Sequence, residues 1–318
     1  MKKNFINTTH LEGVLYEHDL SLKTTGPKSK APGTNYIAGS LDIATDAAMT
    51  NIVTVYFSYV TATYKSGKAN ETFNVLNEII KGTYGSYMEH GIEKAVKLRI
   101  DAAFGLNEFY TDENGQEKLV SSKRNIGSFV HKVDTVDADE KNRNTFKVDM
   151  IITGVTHVDG DDETAQPEKC VVKGAIFDFR GSLLPFDFTA FNPNAMRYFE
   201  SLDASQRNPV CTCIWGRQET NTVVREIRTE SAFGDDSVRE VKSERRNMVI
   251  TGAAKEPYIW DDPAFITATE LTEALQKREI ELAAMKKRQE EYRASKNDAS
   301  VNTFTASIAA PAAKAFNF

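Results

Sequence analysis

Aromatic and basic side chains interleave along this chain in a pattern that suits one kind of chemistry. Tyr56 and Tyr64 run into Lys65 and Lys68, Phe177 and Phe179 into Arg180, and Trp215 is followed by Arg217. Two basic pairs stand in similar surroundings: Lys123-Arg124 within Ser-Ser-Lys-Arg-Asn at 121–125, and Arg245-Arg246 within Ser-Glu-Arg-Arg-Asn at 243–247. Lys23, Lys28 and Lys30 add cations in apparent loops. A flat ring gives each base of a single-stranded nucleic acid a surface to stack on, at about 1–3 kcal/mol per base, and a neighbouring cation meets its phosphate. These sixteen residues form the candidate nucleic-acid-binding set.

Strand alternation limits the set, because successive side chains point to opposite faces. Phe57 and Tyr59 share a parity with Val53 and Val55, so one or both turn toward a core, while Tyr56 has the opposite parity and is the better stacking platform. Phe177 and Phe179 fall on one face by the same count. The bland reading of any one aromatic is core packing, and that of the basic pairs is a solvated hairpin edge.

Other chemistry finds no support in the sequence. There is no G-x-S-x-G, Walker A or G-x-G-x-x-G signature, and His10, His18, His90, His131 and His157 show no metal-ligand spacing. Asp159 to Glu163 resembles a calcium loop only superficially, since the required Gly and terminal Glu are missing at their positions. Cys211 and Cys213 form C-x-C in an apolar alternating run, which puts both thiols on one sheet face as core residues. With Cys170 they make an odd count without framework spacing, which argues against a secreted disulfide scaffold. We therefore expect no catalytic residues, no metal and no cofactor.

The chain has 318 residues, 41% hydrophobic and 26% charged, enough for two packed cores and unlike a disordered protein. Nothing reads as a signal peptide or a membrane span, so a cytoplasmic location is expected, that of a host cell if the gene is a phage's. The net charge of −6 does not itself suggest nucleic acid, yet the sign is uneven. Residues 1–70 carry seven Lys against five acids, while acid gathers at 159–163, 235–236 and 261–262. A basic groove can coexist with an acidic total, because the field at a site depends on local placement.

Most of the chain to about residue 260 has strand character. Residues 36–43 alternate, and 51–60 (NIVTVYFSYV) are rich in β-branched and aromatic residues. The period then changes: Phe73, Leu76, Ile79 and Ile80 make a helical stripe within 71–81. Strands follow at 95–110 and 117–133, joined by a turn at Asp112-Glu113-Asn114-Gly115. The order then repeats, with strands at 150–155, 171–179 and 184–191, a short helix at 194–202, and strands at 210–215 and 248–250. A common order with drifting offsets is what two copies with different loop lengths produce. Each copy has the element order of an OB-fold, a five-stranded barrel with a helix after the third strand. The expected class is thus mainly β with minor α: OB-fold-like five-stranded barrels in tandem at 1–144 and 145–262. A charged helix follows at 263–296 (its core 267–294, capped by Thr267 or Thr269), then a flexible, disordered tail at 297–318.

In the glycine-bearing strands around Gly13, 36–43 and 171–179, the strand 51–60 and the Ser-x-x-Arg-Asn repeats, the chain resembles a phage-type single-stranded DNA-binding protein with tandem OB-folds. The resemblance covers roughly residues 1–260. It implies a non-catalytic protein that coats replication or recombination intermediates of a phage or mobile element, binding single-stranded DNA without sequence preference. RNA stays open as a ligand, because no feature reads a 2′-hydroxyl. Replication or recombination proteins are the implied partners of the helix or tail, with no membrane partner. The tail is nearly uncharged after Asp298 and ends in Phe318, where bacterial relatives are acidic and end in Pro-Phe. The alternative is a virion structural or assembly protein with no nucleic-acid affinity, since β-rich domains, net acidity and a helical extension fit that as well.

Overall fold

Alternating apolar residues need a partner strand on each side, and this chain supplies them twice. The computed structural model describes the backbone of residues 4–113, 116–161, 166–229 and 237–306, and side chains outside 221–245 and 294–306 of these. The first half contains β1 (Asn7–His18), a short β2 (Ser21–Thr24), β3 (Asn35–Ala44), β4 (Ile52–Thr61), α1 (Glu71–Ile80), one turn of helix α2 (Tyr87–His90), β5 (Lys97–Glu113) and β6 (Gln116–Val133). Strand β1 pairs antiparallel with β3 and β5, β3 with β4, and β5 lies beside β6. A parallel β4–β6 contact, Val55↔Asn125 and Tyr56↔Ile126, closes the barrel. The strand around Gly13, β1, ends at His18, and β2 folds back onto β3.

The second half repeats the scheme with β7 (Asn144–Val158), β8 (Lys169–Phe177), β9 (Leu183–Ala190), α3 (Pro193–Ser201), β10 (Val210–Thr229) and β11 (Ser237–Ala253). Strand β7 pairs with β8 and β10, β8 with β9, and β10 with β11. The parallel contact Val249↔Thr189 closes it. The protein is mainly β, with two OB-fold-like five-stranded barrels whose helix follows the third strand. Strands β10 and β11 run far beyond the segments 210–215 and 248–250 read from apolar alternation. Their outer parts are charged, and they pair with each other in a long ribbon.

Each barrel has its own core. Leu11, Leu41, Val55, Leu76, Leu98 and Ile100 are among the side chains that fill the first. Phe146, Val148, Ile152, Phe186, Phe188 and Phe199 fill the second, joined by Phe104 from β5. Burying a side chain of this size is worth about 1.5–3 kcal/mol. The barrels share one sheet through β1 and β7, from Asn7↔Val148 to Leu11↔Asn144. Both lie in one compact unit, 1–106 with 123–271. There Asn7 bridges strands with its amide, donating to the carbonyls of Phe104 and Phe177 and accepting from the Phe104 N–H.

A second unit comprises 107–122 and 272–318. It contains the outer part of the β5–β6 hairpin and most of α4 (Ala268–Ala306). Arg278 reaches the Glu108 carboxylate, Lys286 that of Glu117, and Gln289 exchanges hydrogen bonds with the backbone of Tyr110. Helix α4 starts at a capping box, in which Glu270 N–H donates to Thr267 Oγ1 and Glu270 accepts from the Thr267 N–H. It continues to Ala306, past the end near 294–296 read from the sequence and into the segment expected to be tail, because no Gly or Pro interrupts the chain before Pro311. The turn residues Asn114-Gly115, Asp162 and Glu163 of the acidic loop, Asp235-Asp236 and the tail from 307 lie outside the described residues. Among the described residues no helix is long and apolar enough to cross a membrane.

Candidate nucleic-acid interface

A β-bulge decides which aromatics of β4 reach the surface. Against β3, Phe57 pairs with Gly39 but Val60 with Ile37, so Ser58 and Tyr59 together oppose Ala38. A bulge of this kind resets the alternation. Phe57 stays in the core at 3% exposure, while Tyr59, of the same parity, is 51% exposed. Its ring lies 4.7 Å from that of Tyr36 on β3. Lys23 stands opposite Tyr36 in the β2–β3 pairing. Phe129, on β6 next to β4, is also exposed. Tyr36, Tyr59 and Phe129 therefore occupy the neighbouring strands β3, β4 and β6. Tyr36 and Phe129 were not in the sequence-derived set, and Tyr59 was weighed as core. The signal that finds them is strand pairing, which an isolated segment does not reveal.

Loops carry the lysines expected of them. Lys28 and Lys30 are exposed in the β2–β3 loop, which Thr25 holds by accepting from the Thr34 N–H and donating to the Ala31 carbonyl. Tyr64, Lys65 and Lys68 are exposed in the loop leaving β4, where the Tyr64 N–H donates to the Lys68 carbonyl at 2.9 Å.

The two basic motifs meet. Asn125 on β6 and Gln218 on β10 exchange amide hydrogen bonds of 2.9 and 3.0 Å while buried, and Asn125 also donates to the Thr54 carbonyl. Asn144 and Asn51 both donate to the Gln218 carbonyl, and Asn51 accepts from the Thr220 N–H. This amide lattice fixes the first barrel against the second. Beside it opens a small cleft lined by Tyr56, Lys123, Arg124 and Arg246. The Arg124 guanidinium lies 4.1 Å from the centre of the Tyr56 ring, a cation–π contact. Lys123 donates to the Asp187 carbonyl and carboxylate and lies 4.9 Å over the Phe186 ring. Arg246 is exposed at the rim; the side chain of Arg245 lies outside the described residues.

The remaining candidates separate. Phe177 ends β8 and is 5% exposed, stacked on Phe5 at 4.3 Å, so its faces are occupied. Phe179 does not share that face, because the strand ends at Phe177. The Asp178 carboxylate accepts the N–H groups of Arg180 and Ser182 in a turn closed by Gly181 at positive φ, leaving Phe179 82% exposed under the Arg180 guanidinium. Trp215 is exposed, its indole covering Gly252, and Arg217 is paired through Nε with Glu219 at 2.6 Å. The structure thus gathers Tyr56, Lys123, Arg124 and Arg246 at one place and leaves Phe177 in a core.

Burial pushes the Cys170 thiol up to about 11 and raises Cys213. Cys170, Cys211 and Cys213 are all buried and none is in a disulfide, in keeping with core thiols. Burial and the hydrogen bond to Asp149 also raise the Tyr258 hydroxyl, which holds the segment after β11 to β7. No group of His, Cys, Asp or Glu suited to a metal ion occurs among the described residues.

The family described as YorF matches residues 6–289 of the chain. No curated protein matches it. Two solved structures are similar in part, both of the single-stranded DNA binding protein from Thermus aquaticus. The wild type has a TM-score of 0.44 at 9% identity, covering 81% of this chain and 97% of that one. A deletion mutant has a TM-score of 0.46 at 9% identity, covering 83% and 98%.

Proposed function

The chain belongs to the YorF family, and from the geometry above we propose that it binds single-stranded DNA without reading sequence, as a non-catalytic coat on replication or recombination intermediates of a phage or mobile element. The observation that carries this reading is the pairing of half-buried Tyr36 with exposed Tyr59 on the adjacent strands β3 and β4, their rings 4.7 Å apart, with Lys23 opposite Tyr36. Rings at the spacing of neighbouring strands offer successive bases a face each, which only an unpaired strand can use. The cleft with Tyr56, Arg124, Lys123 and Arg246 extends the surface toward the second barrel and supplies cations for the phosphates. Lys123 must leave Asp187 to reach a phosphate, so part of its attraction is spent on breaking that pair.

The test is fluorescence anisotropy of a labelled single strand of about 30 nucleotides, long enough to span several bases per barrel, at low and high salt with duplex of the same sequence alongside. Tight binding of the single strand, weakened by salt, with duplex spared, is expected. Absence of binding at low salt would remove the proposal and leave a structural or assembly role.

A further inference from the structure

The barrels differ at one corresponding place, where the third strand ends, the helix begins and the fifth strand ends. In the first barrel that gap is closed. Residues 62–70 loop out after β4, Asn70 donates to the Thr61 carbonyl, and the Thr72 hydroxyl accepts the Val130 N–H at 3.2 Å. In the second barrel only residues 191–192 connect β9 to α3, and the gap is open. A cavity of about 670 Å3 remains between the start of α3 and the end of β11, within the roughly 300–1,000 Å3 of small-molecule sites.

Its walls are of two kinds. Phe191, Ala195, Phe199 and Ile250 supply apolar surface, and the Tyr198 hydroxyl spans to the Ala254 carbonyl at 3.0 Å. Lys255 reaches it as a cation, Arg217 as a guanidinium held by Glu219, and Asn192 and Asn194 as amides. Lys255 has no ion-pair partner among the described residues. A flat apolar group with polar edges and an attached anion fits this lining. A nucleotide is such a group.

We propose that this cavity receives one nucleotide of the bound single strand. Its base lies against Phe191 and Ala195, and its phosphate is met by Lys255, with Arg217 joining once it leaves Glu219. The inference rests on the single-strand reading above but adds a second contact zone on the other barrel, at a place where the first barrel is filled by its own residues.

Two variants test it. Ala195→Trp fills the cavity, and Lys255→Glu reverses the charge at its rim without touching a packed side chain. Each is expected to weaken binding of an oligo(dT) of about 30 nucleotides by around tenfold, the loss of roughly one stacked base or its phosphate contact. A strand carrying 5-iodouracil is expected to cross-link within residues 191–199. If Ala195→Trp does not fold, Lys255→Glu and the cross-link decide. Unchanged affinity with no cross-link in that segment, while Tyr36→Ala and Tyr59→Ala weaken binding, would overturn the cavity assignment and leave the proposed function standing. No binding of single strand by the unaltered protein would overturn both.

Discussion

Replacing Asn125 by Ala removes three hydrogen bonds at once, two to the Gln218 amide and one to the Thr54 carbonyl. Gln218 and Thr54 are buried, at 8% and 9% exposure, so the groups left behind regain little solvent. An unsatisfied buried donor or acceptor costs about 1–3 kcal/mol. The neighbouring cleft admits some water, so we take the low end for each group and expect about 3 kcal/mol of lost stability for Asn125→Ala. Asn125→Leu combined with Gln218→Leu removes both amides and orphans only the Thr54 carbonyl and the contacts around it. That pair should cost less than the sum of its single changes by about 1.5 kcal/mol or more. Urea unfolding followed by circular dichroism measures all of these. Because Asn125 is flanked by Arg124 and faces the cleft, the single variant should also weaken single-strand binding under native conditions. A loss below about 0.5 kcal/mol, or strict additivity of the two leucine changes, would refute the claim that the amide lattice holds the barrels in register.

Tyr36→Ala and Tyr59→Ala should each weaken binding of oligo(dT) by about tenfold, with Phe at either position retaining most of it, as measured by anisotropy. Arg124→Gln and Arg246→Gln should each lower the slope of log affinity against log salt by about 0.7, whereas a purely structural role would leave the slope unchanged. His157 accepts a different test. Its hydrogen bond to Glu200, with Glu168 and Asp159 nearby, raises its pKa above the ordinary 6.5. Stability from this cluster is therefore fully present below the unfolded value and is lost as pH rises through the raised folded value. Thermal unfolding of wild type against His157→Gln should show a difference that shrinks with rising pH across that window. A difference that grows with pH would contradict the assignment.

Sequence periodicity alone located α1 and α3, because Leu76 and Ile79, then Met196 and Phe199, fall on one helical face that must be buried. Alternation located the barrel strands, and the recurring order of elements matches the repeated scheme of strands and helix from β7 to β11. It also marked Cys211 and Cys213 as core thiols, since period 2 in an apolar run leaves no other face for them. What it could not decide depended on partners distant in the chain. Tyr59 reaches the surface through a bulge against Ala38, and Phe177 is buried by Phe5. The Ser-x-x-Arg-Asn motif was legible as basic, yet its Asn125 became the buried partner of Gln218, ninety-three positions away. The cavity in the second barrel exists because residues 191–192 replace a longer loop, a difference that matters only once the fifth strand is seen beside the third. Local patterns fix which face of each strand is apolar, because burial rewards period directly. Which polar and aromatic groups then meet is set by register and loop length, which no single segment carries.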